Sequence, residues 1–268
     1  MLYQLSYTPA RVRRASITAF ARWQATSAFS LAKATTMSGS DVPIIAPEML
    51  LLAYRSGVFP MADSREDTEI FWVEPRKRAI LPLDGFHCSR SLAKVLKSGR
   101  FTVTVDSDFA AVVEACAAPR PDHPETWINH TIAASYRNLH ALGHAHSVEC
   151  RTDGELVGGL YGVAIDRVFC GESMFSTTRD ASKVALAWLV ALMRRAGYQL
   201  LDCQFMTDHL ASLGAVEIAR TDYLARLTQA CAEPPRLTLP RAYCELLEED
   251  TASSSPGKRI AQSFTQTS

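Results

Sequence analysis

The spacing of apolar residues along the chain predicts a series of short helices and strands. Apolar residues three and four positions apart predict helices over residues 47–55, 89–98, 107–117, 128–142, 180–197, 209–213 and 222–230. Alternating or continuous apolar runs predict strands over residues 71–73, 79–81, 101–105, 146–151, 155–165, 167–173, 198–203 and 215–218. This order predicts an α/β (α+β) fold with a mainly antiparallel mixed sheet and a crossover helix near its end.

Glycines interrupt the two longest strand predictions. Gly158, Gly159, Gly162 and Gly171 lie inside these runs, and Glu172 follows the last of them. Glycine weakens a strand and marks a bulge or a close approach by another backbone or a ligand. A substrate lying against this hairpin is the functional interpretation, and tight internal packing is the structural alternative.

Composition describes an ordinary globular protein whose charges are unevenly distributed. The 268 residues are 47% hydrophobic and 21% charged, with a formal net charge of zero. Residues 1–36 carry five basic side chains and no acid, which leaves 23 basic and 28 acidic side chains in the rest. We therefore expect any nucleic-acid contact to be a local patch. No apolar run approaches the length needed to span a membrane, so we expect no membrane partner.

The termini and cysteines suggest a domain plan. The Arg-rich start is similar in composition to an organellar transit peptide, but recognisable motifs begin only after Met37, which favours reading residues 1–36 as a disordered or mis-annotated extension. We predict a small N-terminal domain over 37–85, a larger domain over 86–248 and a disordered tail over 249–268. Seven irregularly spaced cysteines indicate a reducing cytoplasm.

An ordered series of motifs resembles the leucyl/phenylalanyl-tRNA–protein transferases over about residues 48–230. The motifs include Gly-His-Ala-His-Ser-Val-Glu (143–149), Leu-Val-Gly-Gly-Leu-Tyr-Gly-Val-Ala (156–164), Phe-Cys-Gly-Glu-Ser-Met-Phe-Ser (169–176), Asp-Cys-Gln (202–204) and His-Leu-Ala-Ser-Leu-Gly-Ala (209–215). The resemblance implies that the larger domain is a GNAT-like acyltransferase domain. It also implies transfer of Leu or Phe from aminoacyl-tRNA to proteins with N-terminal Arg or Lys, which marks them for degradation.

The implied reaction is aminolysis of an ester, for which positioning and oxyanion stabilisation can suffice without metal or cofactor. The resemblance implies that Asp202 and Gln204 are catalytic. Since an ordinary Asp has a pKa of about 3.9, we expect Asp202 to orient the amine through Gln204 rather than to take its proton. A strand-end Asp that caps the next segment is the structural alternative.

The resemblance also implies a substrate-binding set. Glu172 could bind the acceptor's Arg or Lys side chain or could order the active-site strand internally. Trp127 and Tyr136 offer aromatic faces for the terminal adenine or the acceptor. The remaining predicted substrate contacts are Trp72 and the apolar pocket residues Leu160, Phe169 and Leu201. Such a pocket separates Leu and Phe from similar side chains by only about 1–3 kcal/mol per methylene, so we expect some transfer of Met.

A basic stretch is the expected contact for tRNA phosphates. Between residues 76 and 100 a single acid, Asp84, accompanies seven cations: Arg76, Lys77, Arg78, Arg90, Lys94, Lys97 and Arg100. A solvated helix face is the alternative reading of this stretch.

Departures from the family pattern lie outside the expected reaction centre. Met61 follows Phe59-Pro60 where the family usually has Trp, and Thr177 replaces an expected Arg.

Other functions compete with this reading less well. His144 and His146, with Glu149 nearby, could suggest a metal site, but no further firm metal ligand follows them, so we expect no metal site. An acyl-CoA N-acyltransferase on the same fold and a non-catalytic tRNA-binding module are the competing functions. The sequence predicts a monomer only by default.

Overall fold

A computed structural model describes residues 42–119, 125–249 and 255–264 of the chain. Helices in these ranges are α1 (Pro47–Arg55), α2 (Arg90–Ser98), α3 (Phe109–Ala117), α4 (His130–Ala141), α5 (Ala181–Ala196), α6 (Asp208–Ser212), α7 (Arg220–Ala230), α8 (Leu239–Glu248) and α9 (Pro256–Ser263). The strands are β1 (Phe59–Met61), β2 (Phe71–Val73), β3 (Lys77–Leu81), β4 (Thr102–Val105), β5 (Ala145–Thr152), β6 (Glu155–Ile165), β7 (Val168–Ser176), β8 (Leu200–Gln204) and β9 (Val216–Ala219).

Seven strands form one mixed sheet in the order β4-β5-β6-β7-β8-β3-β9. Every neighbouring pair is antiparallel except β7 and β8, which are parallel and are joined by α5. The predicted mainly antiparallel mixed sheet and its crossover helix are therefore confirmed. Strands β1 and β2 form a separate antiparallel pair.

Helices cover both faces of the sheet. Apolar side chains of α2, α5, α8 and α9 form a core on one face with Leu160, Phe169 and Leu201 of the sheet. Helices α1, α3, α4 and α7, with the β1–β2 pair, form a second core on the other face. Among the helices of the described ranges, none combines the length and apolarity that crossing a bilayer requires.

Helix ends follow local chemistry in most places. The Ser89 hydroxyl accepts a hydrogen bond from the Leu92 amide at the start of α2, and Gly99 ends it at φ 66°. Asp153 and Gly154, a common hairpin-turn pair, form the turn between β5 and β6, both at positive φ. The start of α5 differs, because the Asp180 side chain makes no capping hydrogen bond and its φ is 73°.

The internal boundaries differ from the predicted domain plan. Strand β3, assigned by sequence to the domain 37–85, lies between β8 and β9 inside the seven-stranded sheet. It therefore belongs structurally with the larger unit, because its edges are paired on both sides. The predicted extension 1–36 lies outside the described residues, and the two-domain division stays a prediction.

The prediction of a disordered tail over 249–268 is wrong for residues 256–263, which form α9. Ile260 and Ala261 are buried, and the rings of Phe264 and Phe86 lie 4.7 Å apart. Gly257 allows α9 to pack closely against α2, since a Cβ at this position would overlap the Leu96 carbonyl oxygen of α2. The apolar contacts of α9 outweigh the polar composition that had predicted disorder.

Internal packing explains most of the glycines in the β6–β7 hairpin. A Cβ at Gly158 would overlap Ala181 of α5, one at Gly159 would crowd the Val148 carbonyl, and one at Gly162 would overlap the Cys170 carbonyl. The substrate interpretation is therefore wrong for these three positions. Gly171 differs, because a Cβ there would meet only an ordinary contact.

A candidate active site between two parallel strands

The candidate site lies where β7 and β8 stop pairing. The two strands are in register over three positions, from Val168 beside Leu200 to Cys170 beside Asp202. Strand β7 continues to Ser176, whereas β8 ends at Gln204. The side chains that carry the predicted chemistry therefore gather at the last paired position, which holds Asp202, and just beyond it, where Glu172 and Gln204 lie.

Glu172 is the centre of a buried hydrogen-bond network. Its side chain is 1% exposed. The Tyr136 hydroxyl of α4 donates to Oε2 at 2.7 Å, and the Gln204 amide donates to Oε1 at 2.9 Å. The hydroxyl of Tyr54 in α1 lies 2.7 Å from that of Tyr136. Of the two sequence readings of Glu172, the structure supports internal ordering of the strand.

Burial raises the pKa of Glu172 to about 7. Hydrogen bonds from Tyr136, Tyr54 and Gln204 pull this pKa down in part, and the nearby charge of Asp202 raises it. Burial, together with the charge of Glu172, also raises the pKa values of Tyr54 and Tyr136, so both hydroxyls stay protonated. Glu172 is thus a carboxyl whose protonation changes near neutral pH.

Asp202 is fully buried and fully hydrogen-bonded. Nε and Nη2 of Arg78 donate to its two oxygens at 2.8 and 2.6 Å. The Tyr223 hydroxyl of α7 donates to Oδ2 at 2.9 Å, and the Gln204 backbone amide donates to Oδ1 at 2.8 Å. Two donors occupy each oxygen, so the carboxylate has no free acceptor site left and is poorly placed to accept a proton from a substrate.

Gln204 ends β8 in an unusual backbone conformation. Its φ is 62°, in the left-handed region that residues with a side chain rarely adopt. The hydrogen bond from its amide to Asp202 holds this conformation, and the side chain consequently reaches Glu172. Gln204 therefore connects the two carboxylates of the site.

A small apolar cavity lies on the other face of the sheet, against α5. It has a volume of about 20 Å³, and its lining includes Leu160, Gly171, Leu186 and Leu201. Such a space holds about one water, whereas a cavity of about 150 Å³ accommodates benzene. The cavity must widen before it can hold a Leu or Phe side chain.

Only some of the residues predicted to bind the substrate line the cavity or are accessible to a substrate. Leu160 and Leu201 line the cavity as predicted. Phe169 is fully buried and is absent from the lining, because its ring packs beside Gly162. Tyr136 is also fully buried, so it offers no accessible aromatic face in this conformation. Trp72 and Trp127 are half-buried.

The prediction that Arg78 contacts a tRNA phosphate is wrong. Its side chain is buried between β8 and the β1 region, where it pairs with Asp202, and it cannot reach a phosphate in this conformation. The other six predicted cations are exposed. Arg90, Lys94 and Lys97 form a stripe along α2, opposite the buried Leu92 and Leu96. Lys77 also pairs with Glu217 at 2.7 Å.

The sequence reading missed two tyrosines, Tyr54 and Tyr223. Each occupies an apolar position of a helix, where a tyrosine reads as ordinary core. Neither carries a sequence signal for the site, since the partners Glu172 and Asp202 are distant in the chain.

The histidine-containing motif at 143–149 is used internally. The Nδ1 atom of His146 lies 2.7 Å from the Asp106 carboxylate. Glu149 is fully buried and accepts hydrogen bonds from the hydroxyls of Thr104, Ser107 and Ser147. Within residues 42–119, 125–249 and 255–264, no group of three or more His, Cys, Asp or Glu side chains is placed to hold a metal ion.

Two family models match the chain. The model described as "Leucyl/phenylalanyl-tRNA protein transferase" matches residues 80–228, and that of its N-terminal domain matches residues 44–76. Two similar curated proteins, both named leucyl/phenylalanyl-tRNA–protein transferase, illustrate the match. One from Novosphingobium aromaticivorans is 54% identical over 263 residues, covering 87% of this chain and all of the relative. One from Zymomonas mobilis is 60% identical over 187 residues, covering 70% of each chain.

Similarity to solved structures is weak. The structure of L-PGS from Bacillus licheniformis is 14% identical, with a TM-score of 0.34, over 62% of this chain and 55% of that chain. A likeness at this level carries no argument about the fold.

Proposed function

The chain belongs to the leucyl/phenylalanyl-tRNA–protein transferase family, and we propose that it transfers Leu or Phe from aminoacyl-tRNA to the α-amino group of proteins that begin with Arg or Lys. The product would be marked for degradation, and the reaction would take place in the cytoplasm, where aminoacyl-tRNA is available. A monomer suffices, because every group in the proposal comes from one chain.

One observation carries this proposal. The apolar cavity and the Glu172–Gln204–Asp202 network lie on opposite faces of the sheet and meet at the gap between β7 and β8. An aminoacyl side chain in a widened cavity would leave its ester carbonyl at the gap. The acceptor amine would then approach from the face that carries Glu172 and Gln204, which places both reactants within one short opening.

Glu172 is the carboxyl best suited to take the proton from the amine. An α-amino group has a pKa of about 7.7–8.0 and must lose a proton to attack. A base works best when its own pKa is near the operating pH, and the pKa of Glu172 is about 7. In the proposed mechanism the Gln204 side chain orients the amine, and Glu172 accepts the amine proton as the nitrogen attacks the ester carbonyl. The bond from this carbonyl to the tRNA ribose oxygen then breaks, and the ribose oxygen takes a proton from solvent.

The parallel β7–α5–β8 unit supports a GNAT-like interpretation of the larger unit, since its two strands separate after three paired positions. An acyl-CoA donor fits less well. The stretch closest to a pyrophosphate loop, residues 194–199, contains the carboxyl end of α5, where Gly197 has φ 82°. The unpaired backbone groups at a helix carboxyl end are carbonyls. Pyrophosphate binding instead needs the backbone amides at the start of a helix.

The test is transfer by the purified protein. Leu-tRNA is mixed with a peptide that begins with Arg, and the peptide mass is followed. The matched control is the same peptide with an acetylated N-terminus. We expect leucine addition only to the free peptide. Failure to add leucine, with acetyl transfer from acetyl-CoA, would overturn the proposal in favour of an acyl-CoA enzyme. Binding of tRNA with neither transfer would favour a non-catalytic module.

A further inference from the structure

We infer that Arg78 and Tyr223 are positioning residues for the transfer: they hold Asp202, and Asp202 in turn fixes the backbone of Gln204. This inference rests on the proposed function. It assigns Asp202 to the support of the site and removes it from the reacting groups. It also gives a purpose to a buried arginine that the sequence places among exposed cations.

The first support is the set of four hydrogen bonds that the Asp202 carboxylate accepts. Arg78 donates two hydrogen bonds, Tyr223 donates one, and the fourth comes from the Gln204 amide. Three donors from other elements therefore hold the carboxylate in one orientation. In that orientation Oδ1 meets the Gln204 amide, which is the contact that a freely rotating Asp side chain would lose.

The second support is the backbone of Gln204. A left-handed conformation is unfavourable for a residue with a side chain, and it persists only where neighbours enforce it. At φ 62° the Gln204 side chain reaches Oε1 of Glu172. If Asp202 moved, β8 could relax at its end and withdraw the Gln204 amide from the gap.

The third support is the fit around Arg78. Its guanidinium carbon lies 4.8 Å from the centre of the Phe59 ring and 4.5 Å from that of the Tyr223 ring. Its Nη1 donates to the Gly57 carbonyl at 3.1 Å. A planar fork stacked between two rings is specific to arginine, and lysine keeps the charge but loses this geometry.

A displaced Gln204 has a measurable consequence at Glu172. The groups that face Glu172 are Tyr54 from α1, Tyr136 from α4, Tyr161 from β6, Asp202 and Gln204 from β8, and Cys170 on its own strand. The Gln204 hydrogen bond favours the ionised carboxylate, so its loss raises the Glu172 pKa. The ascending limb of the pH–rate profile should then move to higher pH.

The experiment compares Arg78→Lys and Tyr223→Phe with two matched controls. Arg194→Lys alters another arginine, which donates to the carbonyls of Leu83 and Ser263. Tyr243→Phe removes another bonded hydroxyl, which donates to Val103 at 2.9 Å. Transfer from Leu-tRNA is measured for each as kcat, KM and pH–rate profile, with circular dichroism and Tm as checks of folding.

We expect Arg78→Lys to lower kcat about tenfold or more and Tyr223→Phe to lower it about two- to tenfold. In both variants the pH–rate limb should move upward while KM for Leu-tRNA changes less than about twofold. The controls should lower Tm without changing the pH profile. If Arg78→Lys does not fold, Tyr223→Phe decides the result alone.

Three outcomes would contradict this inference or the proposed function, and they are distinguishable. A wild-type protein that transfers Leu, with both positioning variants unchanged in kcat and pH profile, overturns this inference and leaves the proposed function standing. A weakened tRNA affinity in Arg78→Lys, with normal kcat and an unchanged pH profile, would return Arg78 to the phosphate contacts. A wild-type protein that transfers nothing would overturn the proposed function itself.

Discussion

The Gln204 side-chain amide donates a 2.9 Å hydrogen bond to Oε1 of Glu172, and this bond joins the end of β8 to the middle of β7 across the gap. Both residues are buried, at 4% and 1% exposure. The bond links a carboxyl with a raised pKa to the positioning network around Asp202. Most of the predictions below follow from this connection.

Glu172→Gln should remove the pH dependence of transfer near neutrality. If Glu172 accepts the amine proton, wild-type kcat/KM rises with pH through about 7, the pKa of Glu172. The variant should be at least about a hundredfold slower, because general-base catalysis typically contributes that much or more. Both effects are measured from the pH–rate profile of peptide leucylation in the wild type and the variant. An unchanged limb near pH 7 in the variant would assign that limb to another group.

The raised pKa of Glu172 also predicts how folding stability depends on pH. The folded state binds a proton more tightly than the unfolded state, since the pKa rises from 4.5 to about 7. This contribution is present in full below pH 4.5 and is lost as the pH rises through 7, a change of about 3 kcal/mol. Urea unfolding at pH 5 and pH 8 should therefore show a smaller pH effect in Glu172→Gln. An identical pH effect in both proteins would contradict the raised pKa.

Asp202→Ala should be severely destabilising. It leaves Arg78 charged and buried without a partner, a change that typically costs about 3–5 kcal/mol. The matched control is Glu217→Ala, which breaks the exposed pair with Lys77 and should cost less than about 1 kcal/mol. Urea unfolding measures both. Equal costs would show that the buried pair contributes no more than a surface pair.

The stripe on α2 should contribute to tRNA affinity. Lys94→Gln and Lys97→Gln each remove a cation from one exposed face of the helix. Each should weaken tRNA binding and lower the slope of log affinity against log salt by about one if it contacts a phosphate. The control is Arg226→Gln, an exposed cation of α7 on the opposite face of the sheet. An equal loss of slope in the control would show only non-specific attraction.

Leu201→Ala should change the donor preference. Removing this cavity-lining side chain enlarges the space near the gap and should favour Phe-tRNA over Leu-tRNA by up to about tenfold in kcat/KM. It should also cost about 2–5 kcal/mol of stability. Leu246→Ala removes a buried leucine of α8 outside the cavity lining, and it should cost similar stability without changing the donor ratio. A changed ratio in both variants would indicate a general loosening of the core.

The sequence by itself determined the local elements and the family. Apolar spacing predicts most helices and strands, because each depends on residues only a few positions apart. Local chemistry also predicts the cap at Ser89 and the turn at Asp153-Gly154. The motifs led to Glu172, Asp202 and Gln204, which the structure brings together.

Only the tertiary structure decided what the residues between these motifs do. Arg78 stands in a run of basic residues, and nothing local separates it from its exposed neighbours Arg76 and Lys77. Strand β3 enters the sheet beside β8, and that pairing brings Arg78 to a carboxylate 124 residues away. Likewise, α9 is ordered by its contact with α2. A buried partner distant in the chain sets the conformation and charge balance of these residues, and apolar periodicity carries no information about such a partner.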